Sequence, residues 1–196
     1  MTWTVGVVVA LLLVTSVVAV TLPASTRAGR TPAYVAAGLL AVLALLAAVG
    51  DRVTTPDDLL GRLLVIELFV VAVAGGGPVT ATVLWLVEDG NGRTHSLVRA
   101  GDVLRGGAWI GALERCAVYA AVAAGWPEGL AVVLALKGLG RYSELRASGP
   151  SHPPSPAGPG AGEVATGGVA ERFLIGSFTS ILWAVGCAGA YLVLAG

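Results

Sequence analysis

The chain has 196 residues, 56% of them hydrophobic and only 12% charged, with a mean hydropathy of +0.83. A soluble domain usually carries about 25% charged residues, so the composition excludes an ordinary soluble domain and points to an integral membrane protein. Basic and acidic residues balance at 12 each, which gives no global attraction to nucleic acid or to an acidic partner.

The first apolar run, residues 2–22, is long enough to span a hydrocarbon core of about 30 Å. A signal peptide is the rival reading, but no basic residue precedes Arg27 and no clear small-residue cleavage site follows. Residues 23–31 read as a short loop carrying Arg27 and Arg30, with Pro32 suited to the first turn of the next helix. Residues 33–49, almost purely Ala, Leu and Val, form the second span and read as scaffold. Residues 51–62 are a polar connection in which Thr55-Pro56-Asp57-Asp58 marks a helix start. The third apolar stretch, residues 59–87, is too long for one straight span and contains Gly75-Gly76-Gly77-Pro78. Proline removes a backbone donor and glycine favours non-helical geometry, so a kink or break is expected there. A re-entrant pair is the alternative to a single crossing. Broken helices build substrate sites in some transporters, which makes Gly75, Gly76, Gly77 and Pro78 a candidate gate. Glu67, near Arg62, reads as snorkelling or paired.

Residues 88–105 form a polar loop with Asp89-Gly90-Asn91-Gly92 turn chemistry. Residues 108–125 are the fourth span, Trp126-Pro127-Glu128-Gly129 a tight corner, and residues 130–141 a returning helix. The apolar part of that fifth helix is short, so it needs residues 141–146 as an amphipathic interfacial end. Residues 147–169 are Pro, Gly, Ser and Ala with little else, and read as a flexible linker. Residues 173–194 are the last apolar run. The expected fold is therefore an all-α polytopic transmembrane bundle of about six spans. Its parts are residues 1–105 (three helices and a loop), 106–146 (a helical hairpin), the linker 147–169, and the final helix in 170–196. Arg27, Arg30, Arg93, Arg99, Arg105, Arg141, Arg146 and Arg172 fall on one side of this topology, and only Arg52 and Arg62 on the other. The positive-inside rule then places both termini outside the cytoplasm and the linker within it. Eleven Arg against one Lys, with abundant Ala, Val and Gly, suggests a GC-rich bacterial genome and hence a bacterial inner membrane.

Charges inside such spans are expensive and mark functional candidates. Glu114 and Arg115 lie in the fourth helix, Lys137, Arg141 and Glu144 along the fifth, and Glu171 and Arg172 at the start of the sixth. Helical rise allows them one layer near the cytoplasmic leaflet. The natural partners are Glu114 with Lys137 or Arg172, and Arg115 with Glu171 or Glu144. Gly107, Gly111 and Gly176 allow close helix packing around this layer, with Gly138 and Gly140 at similar depth, and Ser177, Thr179 and Ser180 add hydroxyls. Such a layer either fixes helix register as salt bridges or lines a pocket for phosphate or carboxylate. Cys116 and Cys187 sit in apolar runs and read as small hydrophobes rather than a disulfide or metal pair. With two His and no CxxC, neither a metal site nor a cofactor is expected.

The segments Ile110-Gly111-Ala112-Leu113-Glu114-Arg115, Ala135-Leu136-Lys137 with Arg141, and Ala170-Glu171 with Leu174-Ile175-Gly176-Ser177 and Ser180 carry a resemblance. They resemble a family of small bacterial inner-membrane proteins of unknown function, with I-G-x-L-E-R, A-A-K-x-x-x-R and A-E-x-x-L-I-G-T-x-x-S helices. The likeness covers the C-terminal 90 residues or so and departs at 147–169, where the family pattern has a short charged connection. It implies which residues matter and not what they do. Three functions remain in view: a small transporter or transporter subunit; a structural or accessory protein binding partners or anionic lipid; and a membrane-embedded lipid-modifying enzyme using Glu114 and Glu171 as bases. The expected partners are the bilayer, an anionic lipid or small anion, and other membrane proteins through the small-residue helix faces. A dry, fully paired layer supports the structural reading, and a through-path by way of residues 75–78 supports the transporter reading.

Overall fold

The computed structural model describes residues 3–22, 27–49, 59–90, 105–147 and 161–195. These residues are all-helical, with no strand among them: α1 (Trp3–Thr21), α2 (Arg27–Val49), α3 (Leu59–Gly90), α4 (Arg105–Ala123), α5 (Pro127–Ala147) and α6 (Ala161–Ala195). Two stretches, Gly61–Val87 in α3 and Glu171–Ala195 in α6, are long and apolar enough to cross a membrane. Val5–Thr21 and Arg30–Leu46 are apolar over shorter lengths.

α3 and α6 pack together at the centre, and each also touches α2 and α4. α1 lies against α2 and α3, while α5 is peripheral and held mainly by α4. The main core joins Val5, Val9 and Leu12 of α1 to Leu43 of α2, Leu68 and Val71 of α3, and Cys187 and Leu194 of α6. A smaller cluster seats Leu130 and Val133 of α5 on Val118, Ile181 and Ala184. The outward faces are as apolar as the inward ones. On α1 the buried stripe Val5, Val9, Leu12 and Ser16 is matched by an exposed stripe of Val7, Leu11, Val14 and Val18. Leu136 and Leu139 on α5, and Leu174, Phe178 and Leu182 on α6, are exposed in the same way. Helices that are apolar all round belong in surroundings as apolar as a protein interior.

The α4–α5 corner follows from its sequence. Trp126 N–H donates to Ala121 O (2.8 Å) and Gly125 N–H to Val122 O (3.0 Å), with Gly125 at φ 69°. This is the Schellman ending, which requires a left-handed residue and so favours glycine. Pro127 then supplies the fixed φ of a first helical position. At Gly129 a Cβ would meet the Trp126 ring at 2.6 Å and the Ala121 Cβ at 2.9 Å, so only glycine lets α5 close on α4.

Several boundaries differ from the sequence expectation. α3 passes through Gly75-Gly76-Gly77-Pro78 without interruption, so of the expected kink or break the break is absent, and the stretch forms one helix rather than a re-entrant pair. α2 starts at Arg27 rather than after a loop, which makes Arg30 a helical residue. α6 begins at Ala161, so the last nine residues of the expected linker are helical; residues 148–160 lie outside the described ones. The polar segments 51–58 and 91–104 also lie outside them.

Candidate functional site

The end of the bundle that holds the C-termini of α3 and α5 and the N-termini of α2, α4 and α6 contains a cavity of about 530 Å3. α3 contributes Gly77, Thr80, Ala81 and Leu84; α4 contributes Gly107, Ala108, Gly111, Glu114 and Arg115. Lys137 enters from α5, and α6 adds Arg172, Phe173, Gly176, Ser177 and Ser180. From Gly107 to Arg115, as from Arg172 to Ser180, is eight residues, or about 12 Å of helical rise. The cavity thus deepens from a rim at Gly107 and Arg172 to a floor at Arg115, Ser180 and Gly77.

Arg115 is the deepest charge. It is 8% exposed and lies just past the middle of the 19-residue α4. Its Nε–H donates to Val73 O (3.0 Å) and its Nη1 to Ser180 Oγ (3.2 Å). Ser180 is itself 7% exposed. Neither partner is a carboxylate, so the expected pairing of Arg115 with Glu171 is corrected: Glu171 is exposed and outside the cavity lining. The side chains of Arg141 and Glu144 lie outside the described residues.

The glycines explain how Arg115 reaches the backbone of α3. A Cβ on Gly76 would collide with Arg115 Cδ, lie 2.8 Å from its Nε, and come within 3.1 Å of Trp183 Cδ1. One on Gly75 would lie 2.8 Å from Trp183 Cζ2 and 2.9 Å from Ser16 Oγ. Gly75 and Gly76 are therefore filled by neighbouring side chains and do not form an opening. Gly77 faces the cavity, with Arg115 Nη2 3.8 Å from its missing Cβ; Gly111 leaves room on the other side, 3.2 Å from Nη1. Donors from two helices hold α3 along this face. Beside Arg115, Tyr119 Oη–H donates to Val65 O (3.0 Å) and Trp183 Nε1–H to Val71 O (3.1 Å).

Glu114 pairs with Lys137, as one of the expected alternatives had it, and joins α4 to α5. The side chains of Lys137 and Glu114 are 16% and 18% exposed. Lys137 Nζ also sits 5.6 Å from the centre of the Phe173 ring, a cation–π contact with α6. The charges are staggered in depth rather than held in one interfacial layer, with Arg172 at the rim and Arg115 at the floor.

Three contributors were not legible in the sequence. Thr80 has a buried Oγ1 without a partner. Two residues on, Thr82 Oγ1 donates to Pro78 O at 2.9 Å, the usual local bond of a helical threonine. An unsatisfied buried hydroxyl costs about 1–3 kcal/mol. Thr80 falls on the same helical face as Gly76 and Gly77, a spacing that could have drawn attention to it. Trp183 packs on Gly75 and Gly76. Arg30, 6% exposed, places its guanidinium carbon 3.5 Å from the centre of the Trp85 ring, joining the start of α2 to the end of α3.

Comparison with known protein families, curated proteins and solved structures finds no match for this chain.

Proposed function

We propose that the chain is a polytopic membrane protein whose helices all lie in the bilayer, and that its cavity binds an anionic group as a small carrier or carrier subunit. The apolar outward faces of α1, α5 and α6 support the bilayer placement. The positive-inside rule favours a cytoplasmic placement of the cavity end, where Arg30, Lys137 and Arg172 lie. The observation that carries the functional reading is Arg115: a guanidinium at mid-height, hydrogen-bonded to two neutral oxygens, in the wall of an open cavity. A cation at the centre of a span costs about 2.5–3.5 kcal/mol on insertion scales, and an anion in the cavity offsets this. Among the described residues the lining holds one acid, Glu114, and three bases, Arg115, Lys137 and Arg172, and a site near the bilayer midplane suits alternating access.

The test is the unfolding midpoint of the detergent-purified protein in phosphate, sulfate or carboxylate against chloride. At least one anion should raise it for wild type and none for Arg115→Gln; no response to any anion would end the reading. A second reading, an accessory protein that binds an anion or anionic lipid without moving it, is favoured by the closed floor, where Trp183 and Arg115 fill the space at Gly75 and Gly76. Anion uptake into proteoliposomes separates the two. Reporter fusions within residues 148–160 and at Gly196 test the orientation: the first should report cytoplasm and the second the opposite side.

A further inference from the structure

We infer that the anion is an organic one, a single anionic head on an apolar body, which enters the cavity head first from the aqueous side; this rests on the anion-binding reading above. Size is the first argument. Pockets for small organic ligands hold about 300–1,000 Å3, and this cavity, at about 530 Å3, lies inside that range. A water takes up about 30 Å3, so a small inorganic ion would leave most of the space to solvent. The chemistry of the walls is the second argument. Between the floor at Arg115 and the rim at Arg172, α3 contributes Ala81 and Leu84, α4 Ala108 and Gly111, and α6 Phe173 and Gly176. The surface they present is mostly carbon. Thr80 belongs to the same apolar wall, because its hydroxyl is covered and its methyl points across to α6. Its Cγ2, like Leu84 Cδ1, lies 3.6 Å from where a Cβ on Gly176 would be. Glu114, the acid of the lining, is already answered by Lys137.

The placement of the charges decides which end goes in first. Arg115 uses Nε–H and one Nη1 proton on Val73 and Ser180, so its other Nη protons remain for a ligand. The missing Cβ atoms of Gly77 and Gly111 leave the approach to Nη2 and Nη1 clear. A head held there directs the body back along Ala81, Ala108 and Phe173 toward the rim. A lipid of the adjacent leaflet would lie the other way round, with its head at the rim and its chain against a buried guanidinium. The arrangement therefore fits a free organic anion and not a leaflet lipid.

The experiment uses full-length protein in phosphatidylcholine nanodiscs, with protein-free discs run alongside to subtract partitioning into lipid. Equilibrium dialysis follows inorganic phosphate and two labelled series, acetate to octanoate and methyl phosphate to octyl phosphate. In at least one series affinity should rise about twofold to fourfold per methylene, as apolar burial requires, until the cavity is filled. Ala108→Trp adds bulk to the α4 wall at an exposed position. It should flatten that rise while the shortest member binds as before, which also reports an intact fold. Ala81→Leu, on the α3 wall, serves the same purpose if the tryptophan disturbs folding. Discs carrying phosphatidylglycerol should give the same affinities at high salt, where surface charge is screened. Affinity independent of chain length, binding of inorganic phosphate alone, or a rise that the wall variants leave intact overturns the inference and leaves the anion-binding reading standing. Loss of binding in the phosphatidylglycerol discs at high salt also overturns it, by making the cavity a lipid site. Binding of no member of either series and of no inorganic phosphate removes both.

Discussion

Gly76→Ala gives the sharpest test of the packing at the centre of the bundle. The added methyl collides with Arg115 Cδ, lies 2.8 Å from Nε, and meets Trp183 Cδ1 at 3.1 Å. The colliding atoms are not a loose tip: Nε is fixed by its bond to Val73 O, and Trp183 is tied through Nε1 to Val71 O. Overpacking costs about 1–3 kcal/mol, and losing a hydrogen bond to a charged group about 1.5–3 more. The helix propensity gained on replacing Gly by Ala returns at most about 1 kcal/mol. The net expectation is a loss of about 2–5 kcal/mol. Gly38→Ala is the matched control, because nothing lies within 4 Å of a Cβ at that position of α2; its change should fall between zero and a gain of about 1 kcal/mol. Unfolding by SDS titration in mixed micelles, followed by helicity, measures both. If Gly76→Ala proves as stable as Gly38→Ala, Arg115 does not cross α3 at that point and the account of the triple glycine fails.

The remaining predictions concern the cavity and the clamps on α3. Glu114→Gln and Lys137→Met should each lower stability, and a double-mutant cycle should give a coupling of about 1–3 kcal/mol, between the values for exposed and buried pairs; additive effects would show that the pair is uncoupled. Arg115→Lys keeps the charge, but one ammonium cannot replace the fork on Val73 and Ser180, so anion affinity measured by dialysis should fall about tenfold. Tyr119→Phe removes the bond to Val65 O and should cost about 0.5–1.5 kcal/mol in the same SDS titration.

Much of the site could be read from the sequence because charged residues in apolar helices are rare enough to stand out. Glu114, Arg115, Lys137 and Arg172, with Gly107, Gly111 and Gly176, do meet at one cavity, and Glu114 does pair with Lys137. Partners that are not charged residues were invisible. Arg115 finds a carbonyl and a hydroxyl, and no pattern of acids and bases announces a backbone acceptor. Gly75-Gly76-Gly77-Pro78 illustrates the ambiguity of local signals. The same four residues permit a broken helix or a close approach, and the choice depends on what α4 and α6 present opposite them. Arg115 and Trp183 settle it in favour of packing. In the sequence Arg30 reads as a loop residue because Pro32 marks a helix start; its stacking on Trp85 depends on an element more than fifty residues away.

The three carbonyl acceptors on α3 also have a mechanical consequence. Val65, Val71 and Val73 span about 12 Å of helix and are gripped in turn by Tyr119, Trp183 and Arg115. A helix held at three heights by two neighbours can neither slide nor rotate without releasing all of them together. α3, α4 and α6 therefore behave as one block. α5 hangs on the Glu114–Lys137 bridge, the Lys137–Phe173 contact and a small apolar cluster. If the mouth of the cavity widens or narrows, α5 is the door and the other three helices are the frame.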